Sequence, residues 1–410
     1  MRHRLSIVGC LLAAASALSA QSAGTRAFAG FTLVDGTGRA PVPNAVLVVR
    51  GGRVVAAGAA STVAIPAGAE RVDLSGKTVM PGLLNAHGHV TAPADLTTYA
   101  QYGVTTVLSL GNEPASVFAA RAAQNSASLD HARVYLAGPV LAPRTVDEAR
   151  AMVASDADQK VDIVKIRVDD NLGTVPAMSP ELYRAVIDEA HKRGMRVATH
   201  LFYLGDARLL LAAGSDLVAH SIRDSVVDAG VIAALKARNV CYVPTLMREV
   251  STFVYESTPV WFNDPLFVTY ANKEWVAQMQ EPALQQAMAA SPSAQRYKVA
   301  LEMASRNLKT LSDAGVTIAM GTDTGPTGRF QGYFELMELE LMASAGLTPA
   351  QVIAAATRDA ARCMKVDRDL GTLETGKWAD FVALDANPLA NISNVRQISS
   401  VWIAGNKVSR

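Results

Sequence analysis

Three cysteines in 410 residues are too few for a disulfide-built scaffold. No run of like charge marks the chain for nucleic acid or an acidic membrane surface: 38 Lys and Arg nearly balance 37 Asp and Glu, for a net +1. The chain also lacks a Gly-x-Ser-x-Gly elbow, a P-loop, a Gly-x-Gly-x-x-Gly turn after its first strand and any Cys-x-x-Cys pair. Hydrophobic residues make up 50%, which excludes a disordered chain. The length suits two or three average domains, or one large α/β barrel with an appendage.

Only the start carries a long apolar run. Arg2 and Arg4 precede the uncharged stretch Leu5 to Ala20, which ends in small residues. Residues 1–20 read as a bacterial-type Sec signal peptide, so the expected location is periplasmic or secreted. The run is about 16 residues, where a membrane span needs about 20. Ile7-Val8-Gly9-Cys10 resembles a lipobox, but almost no apolar segment precedes it, and lipidation is discounted. Cys241 and Cys363 lie in apolar-periodic segments and read as buried free thiols, with their pairing left open.

Short strands broken by Gly, Pro and Asn fill the region from Phe28 to Val79, and the same character returns from Lys377 to Val408. Both ends are therefore expected to build one small β-sandwich from residues 26–78 and 361–410. Between them, short apolar strands alternate with helical segments. Candidate strands are 79–85, 104–110, 133–137, 162–168, 196–200, 217–220, 240–244 and 316–321. This pattern predicts an α/β fold, a (β/α)₈ barrel over 79–360, with its working face at the C-terminal strand ends. Ser179 to Gly194 is the clearest helix, with Ser179 as N-cap and Leu182, Val186, Ile187 and Ala190 on one face. His191, near its end, is expected to serve the helix dipole. The connection after Pro244 is too long for one loop and helix. Seven of the 24 aromatics (Phe253, Tyr255, Trp261, Phe262, Phe267, Tyr270, Trp275) fall there. Residues 245–297 form an insertion that either packs on the barrel or covers its mouth as a lid.

The chemistry-bearing residues sit at strand ends. In Asn85-Ala86-His87-Gly88-His89, alternation turns His87 and His89 to the same side, so two imidazoles can reach one cation. Lys165 lies mid-strand between Val164 and Ile166. A lysine pointing into a barrel must pair, lose its charge or be modified, and its neutral amine can add carbon dioxide to become a carbamate. His200 and His220 each close a short apolar strand, and Asp323 follows Gly321-Thr322 at the last one. Singly, each has an ordinary structural reading: a satisfied histidine, a paired lysine, a turn-capping aspartate. Together they occupy five stations on one expected rim.

This ordered set resembles the amidohydrolase superfamily, particularly its imidazolonepropionase-like and prolidase-like metal-dependent hydrolases. The likeness extends to Pro81-Gly82-Leu83-Leu84 before the His-x-His, and to Gly371 through Asp380 entering the C-terminal sheet. The resemblance implies two divalent metal ions. His87, His89 and Asp323 would bind the first and His200 and His220 the second, with carboxylated Lys165 and a hydroxide bridging them. Zinc suits these donors, though manganese, iron or cobalt fit similar sets. Asp323 is the expected general base. The expected reaction is cleavage of a C–N bond in a small amide, peptide-like or cyclic amide substrate. Ester, lactone or organophosphate hydrolysis is the alternative on the same site, and a secreted binding protein with a structural metal is the alternative from another class. After Lys165 the run Arg167-Val168-Asp169-Asp170-Asn171 departs from the glycine-rich segment of the prolidase-like subgroup, which puts dipeptide specificity in doubt. Arg223 is the candidate to hold a substrate carboxylate, against a surface pair with Asp224. Tyr203 could donate to a developing oxyanion or pack on the rim. Arg248 and Arg329 are weaker mouth candidates. No nucleic-acid partner and no membrane contact after signal removal are expected, and a homo-oligomer stays open.

Overall fold

Alternation of apolar side chains at both chain ends produces strands that share one mixed sheet. The computed structural model describes residues 24–410, so the expected signal peptide lies outside the described residues. Thr25–Leu33 pairs antiparallel with Val42–Arg50, which pairs with Arg53–Ala59. On its other side Thr25–Leu33 runs parallel to Glu70–Asp73 and Thr78–Pro81. Thr78–Pro81 then pairs with Phe381–Leu384, which joins the two ends of the chain, and Ile398–Ile403 follows. One face buries Phe28, Phe31, Leu47, Val79, Phe381 and Trp402. The Phe28 ring meets Phe381 and Trp402 edge-on at 4.9 and 4.7 Å, a geometry aromatic quadrupoles favour.

The run expected as the first barrel strand is in fact two strands. Thr78–Pro81 belongs to the terminal sheet, and Leu83–Gly88 starts a second, parallel array. Gly82 makes the crossing possible: a Cβ there would lie 2.2 Å from Thr105 Oγ1.

In that array Leu83–Gly88, Val104–Ser109 and Arg133–Leu136 pair in parallel. Val164–Arg167, His200's strand Val197–His200, Leu217–Ala219 and Cys241–Val243 form a further parallel series. Asp162 N–H bridges the two by donating to Leu136 O at 2.8 Å. Residues 316–324 hydrogen-bond on both sides: Ala319 N–H to Tyr242 O (3.0 Å) and Ala86 N–H to Met320 O (2.8 Å). Helices separate the strands. Pro180–Lys192 has Ser179 as its N-cap, with Tyr183, Val186, Ile187 and Ala190 buried. His191 lies in the last turn, where a dipole role is expected, and also pairs with Asp216 at 2.8 Å.

A buried ion pair ties the array to the terminal sheet. Arg133 Nε donates to Asp380 Oδ2 at 2.7 Å, and its guanidinium lies 4.3 Å from the Trp378 ring centroid. Asp380 Oδ1 also accepts from Ala404 N–H.

Cys241 and Cys363 form a disulfide, which overturns the expectation of free thiols. The strand Cys241–Val243 and the helix Arg358–Met364 bring together residues 122 apart in sequence, a distance over which spacing carries no pairing information.

The insertion is pinned by its aromatics. Trp261 contacts Phe262, Phe267, Tyr333 and Phe334, all with ring centroids within 5.7 Å. Phe267 meets Phe330 and Tyr333 at 4.9 Å, and the Tyr255 hydroxyl donates to Gly328 O. These contacts seat the cluster on the helix Tyr333–Ser344 and the segment just before it. Among the described residues no helix is long and apolar enough to cross a membrane.

Candidate metal centre

The strand Leu83–Gly88 and the segment after Met320 lie side by side, which places His87 and His89 against Asp323. His89 Nε2 is 2.9 Å and His87 Nε2 3.3 Å from Asp323 Oδ1. Gly321 permits this approach, since a Cβ there would fall 2.4 Å from Val243 Cγ1 and 2.9 Å from His87 Cβ. Lys165 Nζ reaches to 3.5 Å from His87 Nε2. The His220 ring stands 4.5 Å from that of His87 and 4.1 Å from that of His200. All six side chains singled out from the sequence thus adjoin one another. His220 and Asp323 have φ of 73° and 61°, the left-handed region that non-glycine residues adopt at a cost. Both segments turn a side chain towards the cluster at these positions, and the strain falls on those two residues.

Donor atoms of His87, His220 and Asp323 all lie within 4.8 Å of one another and are buried. This trio unites residues assigned from sequence to different metals. His220 Nδ1 contacts Thr245 Oγ1 at 2.7 Å, while its buried Nε2 has no hydrogen-bond partner. An orphaned buried nitrogen costs the full desolvation of that atom. A soft or borderline cation satisfies it, and four imidazoles, a carboxylate and a lysine suit such a group. The residues present therefore fit a metal centre.

Burial governs the electrostatics. It drives the His220 imidazole well below its ordinary value, reinforced by the neighbouring His200 and His87. It brings His200 down to about 3, against the pull of Asp169, and lowers His87 with help from Lys165. Neutral imidazoles are the ligating form. Burial likewise lowers the Lys165 amine to about 8, against Asp323 and Asp169. For Asp323 burial acts upwards, but the Arg329 charge and contacts with His87 and His89 hold the carboxyl well below its usual range.

A layer of side chains behind the ligands escaped sequence reasoning. Glu335 and Glu338 lie in the helix Tyr333–Ser344 and are fully buried. Glu335 Oε1 accepts from Asn85 Nδ2 (2.5 Å), Thr322 Oγ1 (2.7 Å) and Thr324 Oγ1 (2.6 Å). Those residues flank His87 and Asp323, and Asn85 Oδ1 accepts from His87 N–H at 2.9 Å. Tyr99 OH adds a contact to Thr324 Oγ1 at 2.8 Å. One turn along, Glu338 accepts from the backbone N–H groups of Leu246 and Met247 at 2.9 and 2.7 Å. That fixes the turn carrying Thr245, the partner of His220. The available signal was a helix whose glutamates fall at positions spaced like its apolar residues.

The two substrate-binding candidates are placed differently from expectation. Arg223 is fully buried: its Nη1 donates to Leu201 O and Ser221 O at 3.0 and 2.7 Å, and Nε lies 3.1 Å from Glu249 Oε1. Its guanidinium also faces the Phe202 ring at 4.5 Å. Holding a substrate carboxylate needs an open face, which Arg223 lacks, so that expectation is corrected to an internal brace. The alternative pair with Asp224 is replaced by Glu249, shared with Arg248 at 3.2 Å. Tyr203 directs its hydroxyl to Asp170 Oδ1 at 2.9 Å, so its one proton is engaged there rather than free for an oxyanion. Arg329 pairs with Asp323 Oδ2 and donates from Nε to Ser251 Oγ at 3.0 Å.

The sequence profile of the family described as Amidohydrolase family matches residues 78–408. The chain is 26% identical over 388 residues to an imidazolonepropionase of Streptomyces coelicolor, covering 89% of this chain and 92% of that protein. It is 27% identical over 281 residues to an ochratoxinase of Aspergillus niger, covering 66% of this chain and 51% of that protein. A crystal structure from Bifidobacterium longum, provisionally named a prolidase, superposes with a TM-score of 0.78 at 28% identity, covering 94% of this chain and 95% of the other. Together with the profile match over most of its length, this similarity means that the chain belongs to the amidohydrolase family.

Proposed function

We propose that this protein is an exported, binuclear metal-dependent hydrolase that cleaves a C–N bond in a small amide, peptide-like or cyclic amide substrate. One observation carries the reading: six potential ligands from five separate stretches of chain adjoin one another, with buried His220 Nε2 left without a partner. Relatives named imidazolonepropionase and ochratoxinase support the C–N bond as the target. In this reading His87, His89 and Asp323 would hold one ion and His200 and His220 the other, with Lys165, carboxylated on its buried amine, as a further ligand. The donor set favours zinc. When bound, two divalent ions lower the pKa of water to near neutrality and polarise the carbonyl under attack.

The remaining work falls to the chain itself. Asp323 accepts a proton on its carboxylate and returns it to the leaving nitrogen. Arg329 holds the second oxygen of Asp323 and so fixes the orientation of the first towards the histidines. The buried imidazoles stay neutral and keep their lone pairs available. Residues 316–324, bonded to strands on both sides, support closure of the parallel array, which starts at Leu83, into an eight-stranded (β/α) barrel. The terminal sheet would form the β-sandwich expected from 26–78 and 361–410.

Export to the periplasm or medium is supported by the leader-like start and by the Cys241–Cys363 disulfide, which persists in oxidising compartments. The test is a panel of N-acyl amino acids, dipeptides, cyclic amides, esters and lactones, run before chelation, after chelation and after metal is restored. Amide hydrolysis lost and regained with metal is the expected result. Ester or lactone turnover alone would move the reading to the other hydrolase class, and chelator-insensitive turnover would remove the metal from it.

A further inference from the structure

The strand Val164–Arg167 carries Lys165 inwards and ends just before Asp169. The Asp169 side chain is 2% exposed, and its two oxygens have separate surroundings. Oδ1 accepts from Asn171 N–H at 2.9 Å and from Arg167 Nη2 at 3.0 Å. Oδ2 makes neither contact and lies 2.7 Å from His200 Nε2. That nitrogen is buried and has no aligned hydrogen-bond partner, so the pair is close without an N–H directed at the oxygen. Two donor atoms thus face each other at the His200 side of the cluster, and the carboxylate carrying one of them is anchored through its other oxygen. Metal-binding carboxylates are commonly held in this way.

Charge favours the same assignment. Two divalent ions bring four positive charges, and Asp323 is the one carboxylate among the six residues picked from sequence. One of its oxygens is already claimed by Arg329. Lys165 adds a negative charge only after carboxylation. We infer that Asp169 is a direct ligand of the second metal ion, placing a permanent anion beside His200 so that occupancy of this side does not rest on the lysine carbamate alone. This inference rests on the metal-centre reading above and adds a ligand to it.

The experiment is equilibrium dialysis of the full chain against graded zinc, with metal counted by mass spectrometry, for wild type and Asp169→Asn. Asparagine keeps an oxygen that can orient His200 and accept from Asn171, but it lacks the charge. A ligand role predicts two ions per chain in wild type. In Asp169→Asn one ion is held as before, and the other is weakened by about 100-fold or more. A purely orienting role predicts two ions bound unchanged in Asp169→Asn, which would overturn the inference. Should Asp169→Asn fold poorly, Asp169→Gly dialysed with and without added acetate gives the second readout. Recovery of the second ion by acetate supports ligation, and a second ion retained without acetate contradicts it. Wild type that retains no zinc would remove the metal-centre reading and this inference with it.

Discussion

The two halves of the candidate centre are built to different standards. On the side of His87, His89 and Asp323, Asn85, Thr322, Thr324, Tyr99 and Glu335 form one connected network and Arg329 adds an ion pair, with His87 Nδ1 and Glu335 Oε2 left without partners. On the side of His200 and His220, both Nε2 atoms lack hydrogen bonds, and support comes from single contacts to Thr245 and Asp169. A connected buried network holds its geometry through several hydrogen bonds at once. A half held by single contacts depends more on what binds there. The first half should therefore keep its shape in metal-free protein, while the second should take its final geometry from the ion.

Breaking the shared element has the largest expected effect. Asp323→Asn should lower kcat/KM by about 100-fold to 10,000-fold, the usual range for losing a general base; steady-state kinetics at full metal occupancy checks this, and unchanged turnover would end that role. Next comes Arg223→Ala, which leaves Glu249 buried with one partner fewer. Denaturant melts should show about 3–5 kcal/mol of lost stability. A well-folded variant with a raised KM for acidic substrates alone would restore the carboxylate-binding role withdrawn above.

The contrast between the halves is sharpened by a matched pair. Thr245→Val removes the side-chain partner of His220 Nδ1, and metal titration should show about 10-fold to 100-fold weaker binding of one ion. Thr324→Val removes one strand of a redundant network and should weaken binding less. Equal losses would mean that the network confers no redundancy.

The smallest effect is a pH dependence from the helix behind both halves. Burial raises the Glu338 carboxyl to about 8, so the folded state binds its proton more tightly than the unfolded chain does. The stability this contributes is complete below the ordinary carboxylate value near 4.5 and is lost as pH rises through about 8. Melts of Glu338→Gln from pH 5 to 9 should lack that component, and a slope matching wild type would assign the alkaline loss elsewhere.

What could be read from sequence depended on local pattern. His87-Gly88-His89 declares its shared face through strand alternation, and Lys165 is conspicuous because its neighbours are apolar. His200, His220 and Asp323 are legible because each closes a short strand. Long-range relations left no such trace. Cys241 and Cys363 meet through tertiary packing, and Thr78–Pro81 joined the terminal sheet although its composition matches the strand that follows. Arg223 resembles a rim residue by its distance from His220, yet Glu249 and two carbonyls draw it inside. Glu335, Glu338 and Asp169 look like ordinary surface acids until the elements packed against them are known.

The central claim is that six named side chains enclose two ions. Anomalous diffraction from zinc-loaded crystals at the metal absorption edge tests it most directly. Two peaks are expected, one bounded by His87, His89 and Asp323, the other by His200 and His220, with Lys165 between them. A single peak away from these residues, or none, would contradict the account.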